Sequence, residues 1–285
     1  MTVLFDGIAA GMLLFLISVG LSITLGLMNF VNLAHGAFAM VGGYVCVILL
    51  SRFGVPFLLA LPLVALISGL VGVLLERTLY RRLYGASPLD QVLFSIGLMF
   101  VAMSGATYFF GNQQQPLQLP TMLKGQVHLP GLDMGVYRLF LIAIGLVMAF
   151  GLQWLVSGTR FGAQLRASVD NPRIARGLGI DVDRIFVTTF ALGSALAGLG
   201  GALGIEMLGL DPSFPITYLV YFLIVVAVGG TGNIRGALYA SLILGICDVA
   251  GKYYVPQIGA FVIYAVMVAA LIVRPQGLFG RGAIK

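Results

Sequence analysis

Charge is scarce in this 285-residue chain: only 9% of its residues are Asp, Glu, Lys or Arg, against roughly 25% in a soluble globular domain. That shortage excludes an ordinary water-facing surface. Cysteine is nearly absent as well. Cys46 and Cys247 both sit inside apolar runs, where they read as small packing residues rather than as a disulfide framework. Histidine occurs twice, at His35 and His128, without any Cys/His spacing that suits zinc, so no metal site is expected. Only three lysines exist, Lys124, Lys252 and Lys285, and none completes a G-x-x-x-x-G-K-[ST] pattern. That excludes a P-loop, and with it ATP hydrolysis by this chain. No Ser/His/Asp or Cys/His set is placed for catalysis, and His35 lacks a neighbouring acid, so enzyme chemistry is not expected. The net charge of +6 resides in arginines between apolar runs, with no basic face interleaved with aromatics, which argues against nucleic acid as a partner.

Apolar residues make up the remainder. Hydrophobic types reach 60% of the chain and the mean hydropathy is +1.05. Runs of about 20 residues recur along the whole length, each sufficient to cross a hydrocarbon core of about 30 Å. The expected fold is therefore all-α: a polytopic helical membrane protein with one transmembrane domain over residues 1–285. Candidate spans are 3–28, 29–50, 55–75, 92–110, 136–156, 185–205, 216–228, 237–250 and 258–273, eight or nine crossings with short or broken helices among them. The first run has no Lys/Arg start and is too long for a cleaved signal, so it reads as a retained span. Loop charge orients the set. Arg77, Arg81 and Arg82, then Arg160, Arg166, Arg173, Arg176 and Arg184, then Arg274, Arg281 and Lys285 belong in the cytoplasm. Segment 111–135 holds only Lys124 as a fixed cation and 206–215 only acids, which suits the outside. The N-terminus is then outside and the C-terminus cytoplasmic.

Two polar interruptions stand out, one in each half. Residues 29–36 read N-F-V-N-L-A-H-G, and the apolar stretch that follows, 37–50, has 14 residues, about 21 Å of helix. It cannot cross alone, which places the octet at or within membrane depth. In the second half, 216–228 and 237–250 are similarly short and flank Gly229-Gly230-Thr231-Gly232-Asn233-Ile234-Arg235-Gly236. With one residue deleted, the surroundings of Asn32 and Asn233 resemble each other, as an internal repeat would. Short, Gly-interrupted segments in both halves point to a transport pathway, since exposed helix ends and polar side chains can meet a hydrophilic solute. Asn29, Asn32, His35, Gly36, Thr231 and Asn233 are the candidate pathway residues. For Asn29, Asn32 and His35 a purely structural role, capping helix ends, fits equally well; Gly229, Gly230 and Gly232 read first as tight turns. Asp248 and Glu206 are the acids found within or beside apolar runs, near outer ends, where they would ionise in a wet vestibule or pair with Lys252. Nothing resembles a membrane-centred carboxylate relay. The driving force is expected to come from elsewhere.

Segment 157–184 is the basic cytoplasmic stretch. Asn171-Pro172 suits a helix start with Pro172 at the first helical position, residues 173–178 make an amphipathic turn or two, and Gly177 or Gly179 can end it. Such an element would serve anionic lipid or a docking protein, and a plain connecting loop fits these residues equally well.

Family resemblance enters on these residues. The run 29–36 with Gly42-Gly43 resembles the N-terminal signature of permeases of branched-chain amino acid ABC importers. Arg166-Ala167, Asn171, Ala175 and Gly179-Ile180, leading to Thr188-Thr189-Phe190 and Ala195-Leu196-Ala197-Gly198, resemble that family's cytoplasmic coupling motif. The run 229–237 and the tail from Arg274 to Gly280 resemble its C-terminal signatures. The short N-terminal region is similar to the LivH-like member rather than the larger LivM-like one. The resemblance implies a subunit of the bacterial inner membrane, in contact with lipid. Its partners would be a second homologous, LivM-like permease, two cytoplasmic ATPase subunits and a periplasmic solute-binding protein. ATP and Mg would be bound by those partners and no cofactor by this chain. It further implies that Arg166, Ala167, Asn171, Ala175, Gly179 and Ile180 couple to the ATPases. Similar permeases carry urea, short amides or aromatic acids, so the solute is expected to be a branched-chain amino acid or one of these. An ion-coupled secondary transporter using Asp248 or Glu206 is the rival expectation.

Overall fold

The computed structural model describes residues 1–28, 30–117, 119–129 and 132–278. Asn29 and the end of the tail signature (residues 279–280), with Arg281 and Lys285, lie outside the described residues. Among those described there are eleven α-helices: α1 (Thr2–Met28), α2 (His35–Ser51), α3 (Phe57–Thr78), α4 (Pro88–Phe110), α5 (Val136–Gly158), α6 (Arg160–Asp170), α7 (Pro172–Gly177), α8 (Val182–Leu208), α9 (Phe214–Gly229), α10 (Ile234–Tyr254) and α11 (Gly259–Val273). Six of them, α1, α3, α4, α5, α8 and α10, are long and apolar enough to cross a membrane. The chain is a polytopic helical membrane protein.

Local chemistry accounts for several helix starts. Ser87 accepts from Asp90 N at 3.2 Å ahead of Pro88, Asn171 from Ile174 N at 3.0 Å ahead of Pro172, and Asp181 from Arg184 N at 3.0 Å. Each satisfies a backbone donor that the first helical turn leaves open.

α1 and α8 form the centre. Of the 18-residue membrane stretch of α1, 83% is buried, against 17% for α4. α4 and α5 therefore present apolar side chains such as Phe100, Val101, Phe150 and Trp154 outward, as a lipid-facing surface requires. α8 is rich in glycine because backbones meet there. A methyl placed on Gly42 of α2 would lie 2.2 Å from Gly198 Cα of α8, so the two helices touch main chain to main chain, the small-residue packing that membrane interiors favour.

Three features differ from the sequence reading. α10 is not short: it runs on to Tyr254, 21 residues in all, because Lys252 bonds Asp248 at 2.6 Å one turn back and so neutralises the charge that breaks the apolar run. Residues 160–170, read as part of a loop, form the amphipathic helix α6. And within 111–135, strand β1 (Gln126–Leu129) pairs antiparallel with β2 (Leu132–Gly135), Val127 opposite Met134, a small hairpin outside the all-α expectation.

Candidate functional site: two helix breaks and a basic segment

The first break joins α1 to α2 through non-helical backbone whose donors need partners, and α4 supplies them. Val31 N donates to Gln91 Oε1 at 3.2 Å and Leu33 N to Ser95 Oγ at 3.1 Å. Asn32 is 1% exposed. Its Oδ1 accepts from Ala34 N at 3.1 Å and from the Tyr80 hydroxyl at 3.0 Å. Tyr80 is wholly buried, edge-on to Phe30 with ring centroids 5.2 Å apart. Burial drives the phenols of Tyr80 and Tyr84 well above their ordinary range, so both remain protonated donors. His35, also 1% exposed, donates Nε2–H to the Ile17 carbonyl at 2.8 Å, tying the start of α2 to the middle of α1. A Cβ on Gly36 would lie 3.0 Å from Pro215 of α9. Asn32, His35 and Gly36 are therefore knitted into the packed interior around the break. Asn32 is engaged in holding the turn, and His35 in pinning two helices.

The second break lies beside the end of α1. Gly230 and Gly232 have φ of +87° and +73°, a left-handed geometry that glycine adopts without strain. Gly232 N bonds the Ser22 carbonyl at 3.0 Å, and a methyl on Gly26 would lie 1.8 Å from Gly232 N. Asn233 accepts from Gly236 N at 3.0 Å and caps α10.

A cavity of about 860 Å³ opens at this break. Thr231, Gly232, Asn233 and Ile234 line it from the break, Gln153 and Ser157 from α5, and Pro275 and Gln276 from the tail. Arg166 and Asp170 line it from α6. The structure thus brings Thr231 and Asn233 together with Arg166, a residue of the basic segment, and sets them apart from the Asn32–His35 cluster. Arg166 also donates to the Val156 carbonyl at the end of α5, which fastens α6 to that helix.

The remaining segment residues form one continuous turn. Ala167 O accepts from Asn171 N at 3.1 Å, Asn171 caps α7, and Ala175 O accepts from Ile180 N at 3.0 Å. Gly179 takes φ +82° to end α7. Ala175 is 2% exposed, whereas Ile174 and Leu178 are 61% and 75% exposed. Asp183, at the start of α8, pairs with Arg176 of α7 at 3.0 Å and with Arg81 beyond α3. α7 is thereby tied to α8, the central helix.

Several of these residues escaped the sequence reading. Gln91 and Ser95 have i,i+4 spacing on an apolar helix, a signal that was available. Glu76, which is not among the acids the sequence pattern placed within or beside apolar runs, lies in α3, is 1% exposed and accepts from Tyr84 at 2.8 Å. Asp248 does pair with Lys252, as one of the two expectations had it. Arg138 pairs with Asp6 near the N-terminus of α1. Among the described residues no three metal-binding side chains gather.

Polar helix breaks in a helical membrane protein, one of them sharing a cavity with the basic helix α6, are the features of the broad class of membrane permeases. More specifically, residues 3–271 match the family described as "Branched-chain amino acid transport system / permease component", and the chain belongs to it. It is a transport-system component, not an enzyme. It is 25% identical over 297 residues to the high-affinity branched-chain amino acid transport system permease protein BraD of Pseudomonas aeruginosa, covering 99% of this chain and 96% of that protein. It is 29% identical to the probable branched-chain amino acid transport permease protein LivH of Methanocaldococcus jannaschii, over 94% and 89% of the two chains. The LivM permease of Escherichia coli is 24% identical, with 68% of its length covered. The sequence resemblance to the LivH-like member is thus borne out over the full chain. No solved structure matches it.

Proposed function

We propose that this chain lines half of the translocation pathway of an ABC importer for branched-chain amino acids in the bacterial inner membrane. A LivM-like permease completes the pathway, two cytoplasmic ATPases that bind ATP and Mg power it, and a periplasmic binding protein loads it. The single observation that carries the reading is the shared cavity, where the segment resembling a coupling motif meets the break between α9 and α10. Nine crossings, counting α2, α9 and α11, put the N-terminus outside and the C-terminus in the cytoplasm. This parity keeps the arginines of 157–184 inside. Ile174 and Leu178, exposed and flanked by Arg173 and Arg176, suit an apolar groove with an acidic rim on an ATPase. Pushing on α7 moves α8 through Asp183, and moves the second break through α6. Arg166, Ala167, Asn171, Ala175, Gly179 and Ile180 transmit that push, while Thr231 and Asn233 border the inner mouth.

Reconstitution with the partner subunits tests this. Ala175→Leu overfills a closed site and Gly179→Val strains a left-handed turn, each by about 1–3 kcal/mol. Both should reduce ATP-driven uptake by about tenfold or more while the permease still inserts and co-purifies with its partners. Normal uptake in both refutes the coupling role. Solute movement against a gradient by this chain alone refutes the importer assignment in favour of an ion-coupled carrier. Uptake of urea or amides but not leucine replaces the solute.

A further inference from the structure

The cavity at the second break has a charge layout of its own. α9 ends on it at Val226, Ala227 and Gly230, and α10 begins on it at Asn233 and Ile234. A helix C-terminus carries partial negative charge and an N-terminus partial positive charge, so both poles face one space. The side chains repeat the pattern. Arg166 and Asp170 lie one turn apart on α6 and both line the cavity. Arg166 spends one donor on Val156 O, which leaves the rest of its fork for an anion. Asp170 is exposed and has no ion-pair partner among the described residues. Adjacent positive and negative poles match the two charges of an α-amino acid, and a cavity of about 860 Å³ is large enough to admit one. Its carboxylate would meet Arg166 and the α10 N-terminus, and its ammonium would meet Asp170 and the α9 C-terminus.

We infer that this cavity binds zwitterionic amino acid from the cytoplasm and that occupancy slows import. Resting on the amino-acid permease reading, the inference adds feedback by the transported product. A solute bridging α6 and the break joins the element that the ATPases push to the element that must open, so it holds the inner mouth in one state.

The test uses the complete importer in proteoliposomes, with receptor outside and ATP inside. Initial uptake of labelled leucine is measured against enclosed leucine, leucinamide or 4-methylpentanoate, each variant referred to its own uninhibited rate. Enclosed leucine should inhibit. Leucinamide and 4-methylpentanoate each lack one charge and should need roughly ten- to a hundredfold more, the worth of one charge-assisted contact. Asp170→Asn should raise the half-inhibiting leucine concentration by a similar factor. Equilibrium binding of labelled leucine to the solubilised importer without receptor repeats the comparison where transport is impaired. Equal potency of the three compounds, or uptake and binding indifferent to Asp170→Asn, overturns the inference. Absence of any ATP-driven leucine uptake, with binding to the cavity retained, overturns the function and not the site.

Discussion

Gly26→Ala adds a single methyl, and the structure says where it goes: 1.8 Å from Gly232 N, well inside van der Waals contact. Neither side can yield by a rotamer change, since both are backbone. The loop between α9 and α10 must move away from α1, and the bond from Gly232 N to Ser22 O, now 3.0 Å, stretches or breaks. Overpacking costs about 1–3 kcal/mol, and a buried N–H left without an acceptor costs about 1–3 kcal/mol more. The sum, roughly 2–6 kcal/mol, corresponds to a fall of roughly 3–10 °C in the unfolding temperature for a chain of 285 residues. Thermal unfolding of the purified permease reads this directly, and leucine uptake should fall with it because the displaced loop carries Thr231 and Asn233. Gly97→Ala is the control. Its methyl meets nothing within 4 Å on α4, and replacing a mid-helix glycine should stabilise by up to about 1 kcal/mol. If Gly26→Ala melts and transports like the control, the close seating of the second break on α1 is wrong.

Two further outcomes follow from buried polar pairs. Asn32→Ala strands both Ala34 N and the Tyr80 hydroxyl, a loss of roughly 2–6 kcal/mol. Tyr80→Phe leaves Asn32 with one donor and costs about 1 kcal/mol. A drop in transport by Asn32→Ala with an unchanged melting temperature would instead make Asn32 a solute contact. At the other site, Lys252→Ala leaves a carboxylate whose side chain is 12% exposed, whereas Asp248→Ala leaves an ammonium on a side chain 52% exposed. The first should cost about 2 kcal/mol, discounted from about 3–5 for a fully buried pair. The second should cost less, because the lysine reaches water. Melting curves that reverse this order would show that the pair does not sit as described.

Local chemistry alone decided a good deal of this protein. Hydropathy placed nine apolar helices within a few residues of their positions, because each helix in lipid satisfies its own backbone and needs no distant partner. Asn171-Pro172 marked the start of α7 for the same reason, a cap being a bond between near neighbours. Gly230 and Gly232 were legible as a turn because only a few residue types tolerate their φ. What the tertiary structure decided is which polar residues hold the fold and which face open space. Asn32 and Asn233 look alike along the chain, yet Asn32 is closed off by Tyr80, 48 positions away, and Asn233 borders a cavity with Arg166. Gln91 and Ser95 act on backbone some 60 residues distant. Such pairings depend on where helices cross, and helix crossings follow from the packing of all eleven together rather than from the pattern of any one.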